Sequence, residues 1–520
     1  MRRPSARRVP VWALAAVLAA AWLAWQPPVA DLVAQRFRAH LVDLEGPAVV
    51  WNGWWYAGHP LPGYSILFPL LGWALGPSLA GALSAVGFAA AAERAAHAVF
   101  APAAARVAAL WAALGSATLL LTGRLTFALG AALATAAVAA AARHRPRTAV
   151  VLAAAASLGS PVAGAFLAMG ALAWLLTGGG RSAVALGVAA VAPAGLVALA
   201  FPETGTFPFT FWAAAPAIAG AVLLLAVLPR ERRTLYAAAA LYLVVLVGAA
   251  AVPSALGGNA ARLGSLVAGP VVAGALWPHR RALVLALAAP LLWWQWGSAV
   301  DDVVRASGDP LAEASTYAPL VRAIEARDGR LAAYRVEVAF TDDHAEALHL
   351  ARHVPLARGW LRQADRAHND LFYDDRPIGA AEYRRWLDAH AVAFVVLPLG
   401  AIDYAGAREA DLIRSGPGYL REVWRDAHWR LFAVRDPAPA ATGAVRATEL
   451  GVDHVGLRAL RRGDALVRVR WSPYWRLAGV PGCVADAGGW TRVRVDRPGP
   501  ARLVMAWSPG RVRATSPRCG

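Results

Sequence analysis

Apolar segments fill most of the first 300 residues, and they constrain the fold more than any other feature of the sequence. Hydrophobic residues make up 58% of the whole chain, which is more apolar surface than a soluble core can bury. About eleven segments approach or exceed the length that crosses a bilayer of about 30 Å. The sequence therefore predicts a polytopic α-helical membrane domain over residues 1–299. The apolar segments are residues 9–25, 64–91, 104–122, 125–142, 148–158, 162–177, 183–200, 211–228, 235–252, 263–277 and 281–298.

The arginines between the apolar segments predict which side of the membrane each loop faces. With the N-terminus inside, the loops on the inner side all carry arginine, for example Arg143–Arg147 and Arg230–Arg233. The outer loops carry fewer, such as Arg124 alone between the third and fourth segments. Positive residues concentrate in cytoplasmic loops of membrane proteins. The sequence therefore predicts a multi-pass plasma membrane protein, N-terminus inside, with everything after residue 300 extracytoplasmic.

The formal net charge of +18 has the same explanation. The positive residues are arginines without any lysine, and they lie in short clusters between apolar segments. Clusters of this kind orient membrane helices and contact anionic lipid headgroups. The charge therefore predicts a lipid bilayer as a partner and gives no support to a nucleic-acid partner.

The more polar residues after 300 predict two outer domains. Helical and strand-like patterns alternate over residues 300–440, which predicts an α/β domain. After a linker rich in Pro and Ala, residues 445–520 alternate apolar and polar residues between Gly and Pro turns, which predicts a small β-sandwich. The α/β patterns are Tyr317–Arg327, Leu331–Phe340, Ala380–His390, Val392–Pro398 and Trp429–Val434.

The two cysteines, Cys483 and Cys519, both lie in the last predicted domain. They show neither a CxxC motif nor the spacing of zinc ligands, so the sequence predicts no metal ligands and no redox motif. An extracytoplasmic position would permit a disulfide between them, and the sequence leaves open whether they are bonded.

A polar loop, residues 26–63, separates the first two apolar segments and holds the candidate catalytic residues. Asp43 and Glu45 lie in this loop, which the predicted orientation places at the outer membrane surface. A carboxylate that is partly desolvated there can have a raised pKa and act as general base towards a hydroxyl group. The alternative is an ordinary loop carboxylate that is solvated or paired with Arg36 or Arg38.

The same loop is rich in aromatic residues, namely Trp51, Trp54, Trp55 and Tyr56. Trp and Tyr concentrate at the bilayer interface, and this explains their presence without any ligand. Stacking against a sugar ring is the alternative, for which Trp54 is the candidate. His59 is a further candidate substrate contact in this loop.

Arg262 begins a membrane segment from the outer side, where a charged side chain is costly unless it is paired or faces a cavity. Its guanidinium matches a phosphate group in a bidentate manner and could hold a lipid-linked substrate. Snorkelling of the side chain to the interface is the alternative. Asn259, Arg124 and Glu203 lie on outer loops as weaker candidate contacts.

The stretch Val354–Asp375 is rich in groups that bind polar ligands. Its pattern predicts a loop that either covers a site at the membrane or seats the outer domain on lipid. The candidate substrate contacts are Arg358, Trp360, Asn369 and Tyr373. The chain lacks the G-x-S-x-G, G-x-G-x-x-G and Walker A motifs, which argues against an α/β-hydrolase and an ATP-driven pump.

The layout resembles the GT-C class of integral-membrane glycosyltransferases, which use polyprenyl-phosphate-linked sugars. The resemblance lies in about eleven spans, a long first outer loop with an acidic residue after the first span, and a C-terminal outer domain. The run WNGWWYAGHPLPGYSILFPLLG before the second span is similar to that class. The run RWSPYWRLAGVPGC is similar to the β-sandwich ending of several bacterial members.

The resemblance implies an enzyme that moves a sugar from a polyprenyl-phosphate donor to an envelope glycan, lipid or protein on the outer face. It implies that Asp43, or alternatively Glu45, acts as the base or as a metal contact. The chain has a single Asp-x-Glu here in place of an acidic pair. The resemblance therefore leaves the identity of the base and the use of a divalent cation open.

Two other functions remain as alternatives. The short segments 148–158 and 162–177 flank Gly159-Ser160-Pro161 and predict a broken or re-entrant pair, which is typical of transporters and lipid flippases. A non-catalytic envelope-assembly protein could also keep this layout without the chemistry.

Overall fold

The computed structural model describes residues 9–46, 50–203, 205–327, 333–507 and 519. The chain divides into two compact units. Most of the predicted first outer loop, Arg36–Pro62, and a short segment between two apolar helices belong to the same unit as the C-terminal half. The first unit contains Met1–Gln35, Gly63–Leu199 and Thr206–Arg305, and the second contains Arg36–Pro62, Ala200–Gly205 and Ala306–Gly520.

The first unit is built from apolar helices. Its sequence is rich in Ala and Leu, which have high helix propensity, and a helix satisfies its own backbone hydrogen bonds in an apolar environment. Pro77, Pro102, Pro146 and Pro161 each begin a helix, where the missing N–H costs nothing. The helices are α1 (Trp12–Trp25), α2 (Ala30–Glu45, which continues into the second unit), α3 (Leu67–Leu75), α4 (Pro77–Val99), α5 (Pro102–Leu121), α6 (Leu125–Ala142), α7 (Pro146–Gly159), α8 (Pro161–Leu176), α9 (Gly180–Ala200), α10 (Phe211–Val227), α11 (Arg233–Ala251), α12 (Ala261–Leu276) and α13 (Arg281–Ala306).

Length and composition make five helices of the described chain, α5, α6, α9, α11 and α13, capable of crossing a membrane. The pairs α1 with α2 and α3 with α4 pass the same test together, with bends of 80° and 114°, which raises the number of candidate spans to seven. Helices α7, α8 and α10 are apolar but shorter. A helix-rich chain with five to seven candidate spans is thus observed. The larger number of about eleven spans stays a prediction, as does the orientation.

The predicted break between two short apolar segments falls at Ser160, between α7 and α8. The Ser160 backbone is extended, and its hydroxyl oxygen accepts a hydrogen bond from the Ala163 N–H. Gly130 of α6 packs against this break, because a Cβ at Gly130 would lie 2.5 Å from the Ser160 Cβ. Small residues permit such close helix contacts, and they surround the broken backbone with protein.

The second unit contains an α/β region with a four-stranded sheet in the order β1-β2-β4-β3. Strand β1 pairs parallel with β2, and the other pairs are antiparallel. Every residue of β2 is buried, in agreement with its continuous apolar run. The elements are α14 (Ala314–Glu325), β1 (Arg335–Val338), α15 (Glu346–His349), α16 (Arg362–His368), α17 (Ala380–Ala389), β2 (Val392–Pro398), α18 (Tyr404–Arg414), β3 (Leu420–Arg425) and β4 (Trp429–Val434).

The C-terminal part of this unit contains two four-stranded sheets, ordered β10-β11-β8-β5 and β6-β7-β12-β9. Val467 and Val493 of one sheet share a core with Leu457, Trp475 and Leu503 of the other, which is the arrangement of a sandwich. Cys483 and Cys519 form a disulfide that ties the end of the chain to this region. The strands are β5 (Ala441–Gly443), β6 (Val445–Leu450), β7 (His454–Ala459), β8 (Gly463–Arg470), β9 (Trp475–Ala478), β10 (Gly482–Ala487), β11 (Trp490–Val495) and β12 (Gly499–Met505).

The aromatic residues of the first outer loop lie in a protein core and not at an exposed interface. Trp51, Trp55 and Tyr56 are each at most 1% exposed. Trp55 stacks on Phe37, with ring centroids 4.2 Å apart, and the Tyr56 hydroxyl donates to the Leu361 carbonyl oxygen. Aromatic side chains give large apolar burial, and here they hold the loop within the second unit.

We predict that loss of the disulfide destabilises the β-sandwich. A double Cys483→Ser, Cys519→Ser variant lacks the crosslink between these positions, which are 36 residues apart in sequence. Its unfolded chain therefore has a higher conformational entropy. The expected cost is about 2–4 kcal/mol, measured as a lower unfolding temperature by tryptophan fluorescence. A reducing agent should lower the unfolding temperature of the unmodified protein similarly and leave the variant unchanged. An unmodified protein that reacts with a maleimide before reduction would contradict the prediction.

Candidate functional site

A polar cavity in the first unit lies among the ends of three apolar helices and the middle of a fourth. Arg124 precedes α6, Arg262 lies in the first turn of α12, and Gln295 and Ser298 come from α13. The enclosed volume of the cavity is about 20 Å³, and the rest of the space around its lining residues opens to solvent. Its lining contains two of the predicted substrate contacts. The lining residues are Thr118, Leu119, Thr122, Arg124, Phe127, Arg262, Ser265, Leu266, Gln295 and Ser298.

Arg124 is held by an ion pair with the first turn of α2. Its Nε donates to Oδ2 of Asp31 at 3.0 Å. The turn between α5 and α6 approaches α2 closely at Gly123, where a Cβ would lie 2.4 Å from the Leu32 backbone nitrogen. Gly123 also has a φ of +67°, so glycine is favoured there for both reasons. Asp31 therefore fixes the position of the Arg124 guanidinium at the cavity.

Arg262 presents a second guanidinium to the same cavity. Its CZ lies 5.7 Å from the centroid of the Phe127 ring, a cation–π contact. Within the described part of the chain, its guanidinium forms neither an ion pair nor a hydrogen bond. Asp302 in α13 pairs instead with Arg305, at 2.6 Å. The Arg262 charge is thus the one that a bound anion would compensate.

The remaining polar groups of the cavity carry no formal charge. The hydroxyls of Thr118, Thr122 and Ser265 donate to backbone carbonyls one helical turn earlier. The Gln295 amide accepts from the Trp111 indole N–H at 3.1 Å and donates to a backbone carbonyl. Since the lining contains two arginines and no carboxylate, its charge suits a small anion such as a phosphate group at the part that opens to solvent.

The predicted catalytic carboxylates lie in the second unit, at the C-terminal end of α2. Asp43 is exposed. Glu45 lies beside the β6–β7 turn, with its Oε1 3.7 Å from Nδ1 of His454. Burial, followed by the nearby Asp453 carboxylate, raises the pKa of Glu45. Their assignment as base or metal contact stays a prediction, and among the described residues Glu45 belongs to the one group suited to a metal ion.

Two further predicted contacts, His59 and Glu203, are brought together in the second unit. Oε2 of Glu203 lies 3.7 Å from Nδ1 of His59, and its Oε1 lies 3.2 Å from Nε2 of His368. Burial acts to raise the pKa of Glu203, but the hydrogen bonds of His368 and His59 outweigh burial and lower this pKa. Burial lowers the pKa of His59, against the opposite effect of Glu203. This cluster ties the first outer loop to the segment that follows α9.

The predicted contacts Arg358, Asn369 and Tyr373 also come together, around Asp365. Nε and Nη2 of Arg358 donate to the two Asp365 oxygens at 3.1 and 2.7 Å. The Asn369 amide and the Tyr373 hydroxyl donate to the same carboxylate, at 2.9 and 2.6 Å. Arg358 is only 1% exposed. Their hydrogen-bonding groups are thus directed at one another, which is how a buried charge is stabilised in a protein.

Arg358 is the centre of a larger buried charge cluster. Its Nη1 lies 3.0 Å from Oε2 of Glu409 and 3.5 Å from Oε1 of Glu337. The Phe340 and Phe372 rings lie on its guanidinium, with centroids 3.9 and 3.7 Å from CZ. Three carboxylates therefore share one guanidinium, and this excess of buried negative charge favours protonation of one of them.

The other predicted contacts have separate positions. Asn259 is buried in a 3-10 turn, Gly257–Ala260, that precedes α12. Trp54 is partly buried and donates from its indole N–H to the Leu450 carbonyl oxygen at 3.2 Å. Trp360 is partly exposed and meets the His344 ring edge-on. None of these three residues lines the cavity of the first unit.

Three residues of the cavity region, Asp31, Gln295 and Ser298, were not predicted from the sequence. Asp31 follows α1 by only a few residues, so its position just after the first apolar segment was a usable signal. Gln295 was visible as a polar residue within an apolar segment, where such residues are rare and commonly face protein or a cavity. No family model and no curated protein matches this chain.

We predict that the protonated form of Glu337 stabilises the second unit. Burial, and next the Glu409 carboxylate, raise the pKa of Glu337 well above its ordinary value. A pKa raised by folding gives a contribution that is present below the unfolded pKa and is lost as pH rises through the folded pKa. Glu337→Gln keeps a neutral group, so the variant should match the unmodified protein near pH 4.5 and resist urea better at pH 8.

Asp365→Asn is the matched control, because it removes a charge that is bonded to Arg358 directly. It should lower the free energy of unfolding at both pH values by about 3–5 kcal/mol. Urea unfolding followed by tryptophan fluorescence measures both variants. Equal destabilisation of Glu337→Gln at both pH values would show that Glu337 is ionised in the folded protein.

Proposed function

We propose that this chain is a membrane glycosyltransferase resembling the GT-C class, which moves a sugar from a polyprenyl-phosphate donor to an envelope glycan, lipid or protein. The observation that carries the proposal is the unpaired Arg262 guanidinium in a cavity shared with Arg124. A sugar phosphodiester carries one negative charge. Arg124 is already offset by Asp31, so the single remaining charge of Arg262 matches this donor.

The chemistry needs a base and a stabilised leaving group. An acceptor hydroxyl attacks the anomeric carbon, the base takes the hydroxyl proton, and the bond from that carbon to the phosphate oxygen breaks. The departing prenyl phosphate gains negative charge, and the Arg262 guanidinium stabilises that charge. Asp43 is the proposed base and Glu45 the alternative. Asp31, beside Arg124, is the carboxylate to compare with them.

The proposal includes a location and a topology. The chain would lie in the plasma membrane with about eleven spans, its N-terminus inside and its two C-terminal regions outside. The charge distribution of the loops supports this orientation. The Cys483–Cys519 disulfide supports it as well, since disulfides persist in oxidising compartments.

A transporter or lipid flippase is the second candidate function. The break between α7 and α8 at Ser160 favours it, because broken apolar helices line substrate sites in many transporters. The two functions differ in what happens to the donor. A transferase breaks the bond between sugar and phosphate, whereas a flippase moves the intact lipid.

We predict that Arg262→Gln lowers transfer of sugar from a polyprenyl-phosphate donor by about 10- to 100-fold, since charge-assisted hydrogen bonds to a phosphate contribute about 1.5–3 kcal/mol. Purified protein in lipid nanodiscs and a radiolabelled donor measure the rate. Arg181→Gln is the matched control, since Arg181 is exposed at the start of α9, away from the cavity. Equal rates for both variants would contradict the phosphate role.

Asp43→Asn and Asp31→Asn separate the candidate bases in the same assay. Loss of the base should abolish turnover while donor binding persists, whereas Asp31→Asn leaves the Arg124 charge uncompensated and should change donor affinity without abolishing turnover. Unchanged transfer in Asp43→Asn would exclude Asp43 as the base. Movement of intact donor across vesicles by the unmodified protein, without transfer, would favour the flippase.

A further inference from the structure

A group of metal-ligand side chains forms where the end of α2 meets the β-sandwich. Glu45 is the last residue of α2, Asp453 lies in the β6–β7 turn, and His454 begins β7. One ligand atom from each lies within 4.8 Å of the others. Among the described residues, this is the one group of three or more such side chains. All three residues belong to the second unit.

The distances within the group are close to those of a tetrahedral metal site. Nδ1 of His454 lies 3.1 Å from Oδ1 of Asp453 and 3.7 Å from Oε1 of Glu45. Zinc bonds of about 2.0–2.1 Å at tetrahedral angles place neighbouring ligand atoms about 3.3 Å apart. The two distances from His454 therefore bracket the expected spacing, and the Glu45 and Asp453 oxygens lie within 4.8 Å of each other.

The His454 ring is fixed and buried. Its side chain is 7% exposed. Gly451 packs against the ring, where a Cβ would lie 2.2 Å from Cε1. A larger residue at Gly451 would thus displace the imidazole. A ring held in place before binding loses little conformational entropy when it becomes a ligand.

The second ring nitrogen of His454 faces a third carboxylate. Nε2 is buried, and its partner is Oε1 of Glu449, 3.1 Å away. A histidine that binds a metal through one nitrogen commonly directs its other N–H to a carboxylate. Glu449 has this position, on the side of the ring away from Glu45 and Asp453.

Charge favours a cation at the same place. Three carboxylates, from Glu45, Glu449 and Asp453, surround one imidazole. A protonated His454 and the nearby Arg502 together balance two of these negative charges, which leaves one. A divalent cation on a neutral imidazole would balance the two carboxylates that face it, and Glu449 would accept the remaining ring proton.

We propose that Glu45, Asp453 and His454 bind Zn²⁺ and thereby link the end of α2 to the β6–β7 turn. An imidazole nitrogen favours zinc over magnesium or calcium, which prefer all-oxygen ligands. The site lies within the second unit and is argued from its own distances, and zinc binding by Glu45 would leave Asp43 as the proposed base. A cation here would hold the first outer loop against the sandwich, in addition to the aromatic core around Trp51.

The test is calorimetric titration of the full-length chain, purified in detergent and stripped with EDTA, with ZnCl₂ and separately with MgCl₂. We expect one Zn²⁺ per chain, no saturable Mg²⁺ binding and a higher unfolding temperature with zinc. His454→Gln and Asp453→Asn should each weaken zinc binding by about 100-fold or more, and Glu449→Gln by about 10- to 100-fold. Asp464→Asn, an exposed carboxylate of the same sandwich, is the matched control and should bind normally.

Absence of stoichiometric zinc binding would overturn the proposal, as would equal affinity in His454→Gln and the unmodified protein. Circular dichroism of the zinc-free variants establishes that they are folded. If His454→Gln does not fold, Asp453→Asn decides the question, because its amide keeps the size of the side chain. X-ray absorption of the zinc-loaded protein should show one nitrogen ligand with oxygen ligands, and a shell of several nitrogens would place the metal elsewhere.

Discussion

The lack of polar partners among apolar helices is the constraint on which the first unit depends. Backbone N–H and C=O groups there must bond within their own segment, and the apolar sequence forms helices for that reason. Polar side chains follow the same rule, since Thr118 and Thr122 donate to carbonyls of their own helix. Arg262 is the exception. Its guanidinium faces the Phe127 ring and a cavity whose lining contains no carboxylate. A charge left without a carboxylate among apolar helices is commonly associated with function.

The second unit, in contrast, buries several charged side chains in one core. Arg358 compensates the buried carboxylates because its planar guanidinium donates two hydrogen bonds to Asp365 and lies between two phenylalanine rings. The polar loop composition that suggested ligand binding therefore also serves the fold. A residue type suited to phosphate or sugar is equally suited to a buried carboxylate, and sequence composition does not distinguish the two.

The first outer loop contributes residues to several separate clusters of the second unit. Its aromatic residues fill a core, its His59 meets Glu203, and its Glu45 reaches the β6–β7 turn. The loop is therefore structured by contacts with residues far along the chain. Its polar residues were read from the sequence as one site, but they take part in separate clusters. The proposed anion cavity and the proposed zinc site are accordingly independent of each other.

The sequence by itself determined the apolar helices and the strands with a clear apolar pattern, such as Val392–Pro398 and Trp429–Val434. The local pattern of apolar residues determines which of their side chains are buried. It also identified Arg124 and Arg262 as charged residues at helix ends. Only the tertiary structure decided that they share a cavity, that Asp31 binds one of them, and that Glu45 meets His454. These pairs are separated by 93 to several hundred residues, and packing of distant elements sets such contacts without leaving a local pattern.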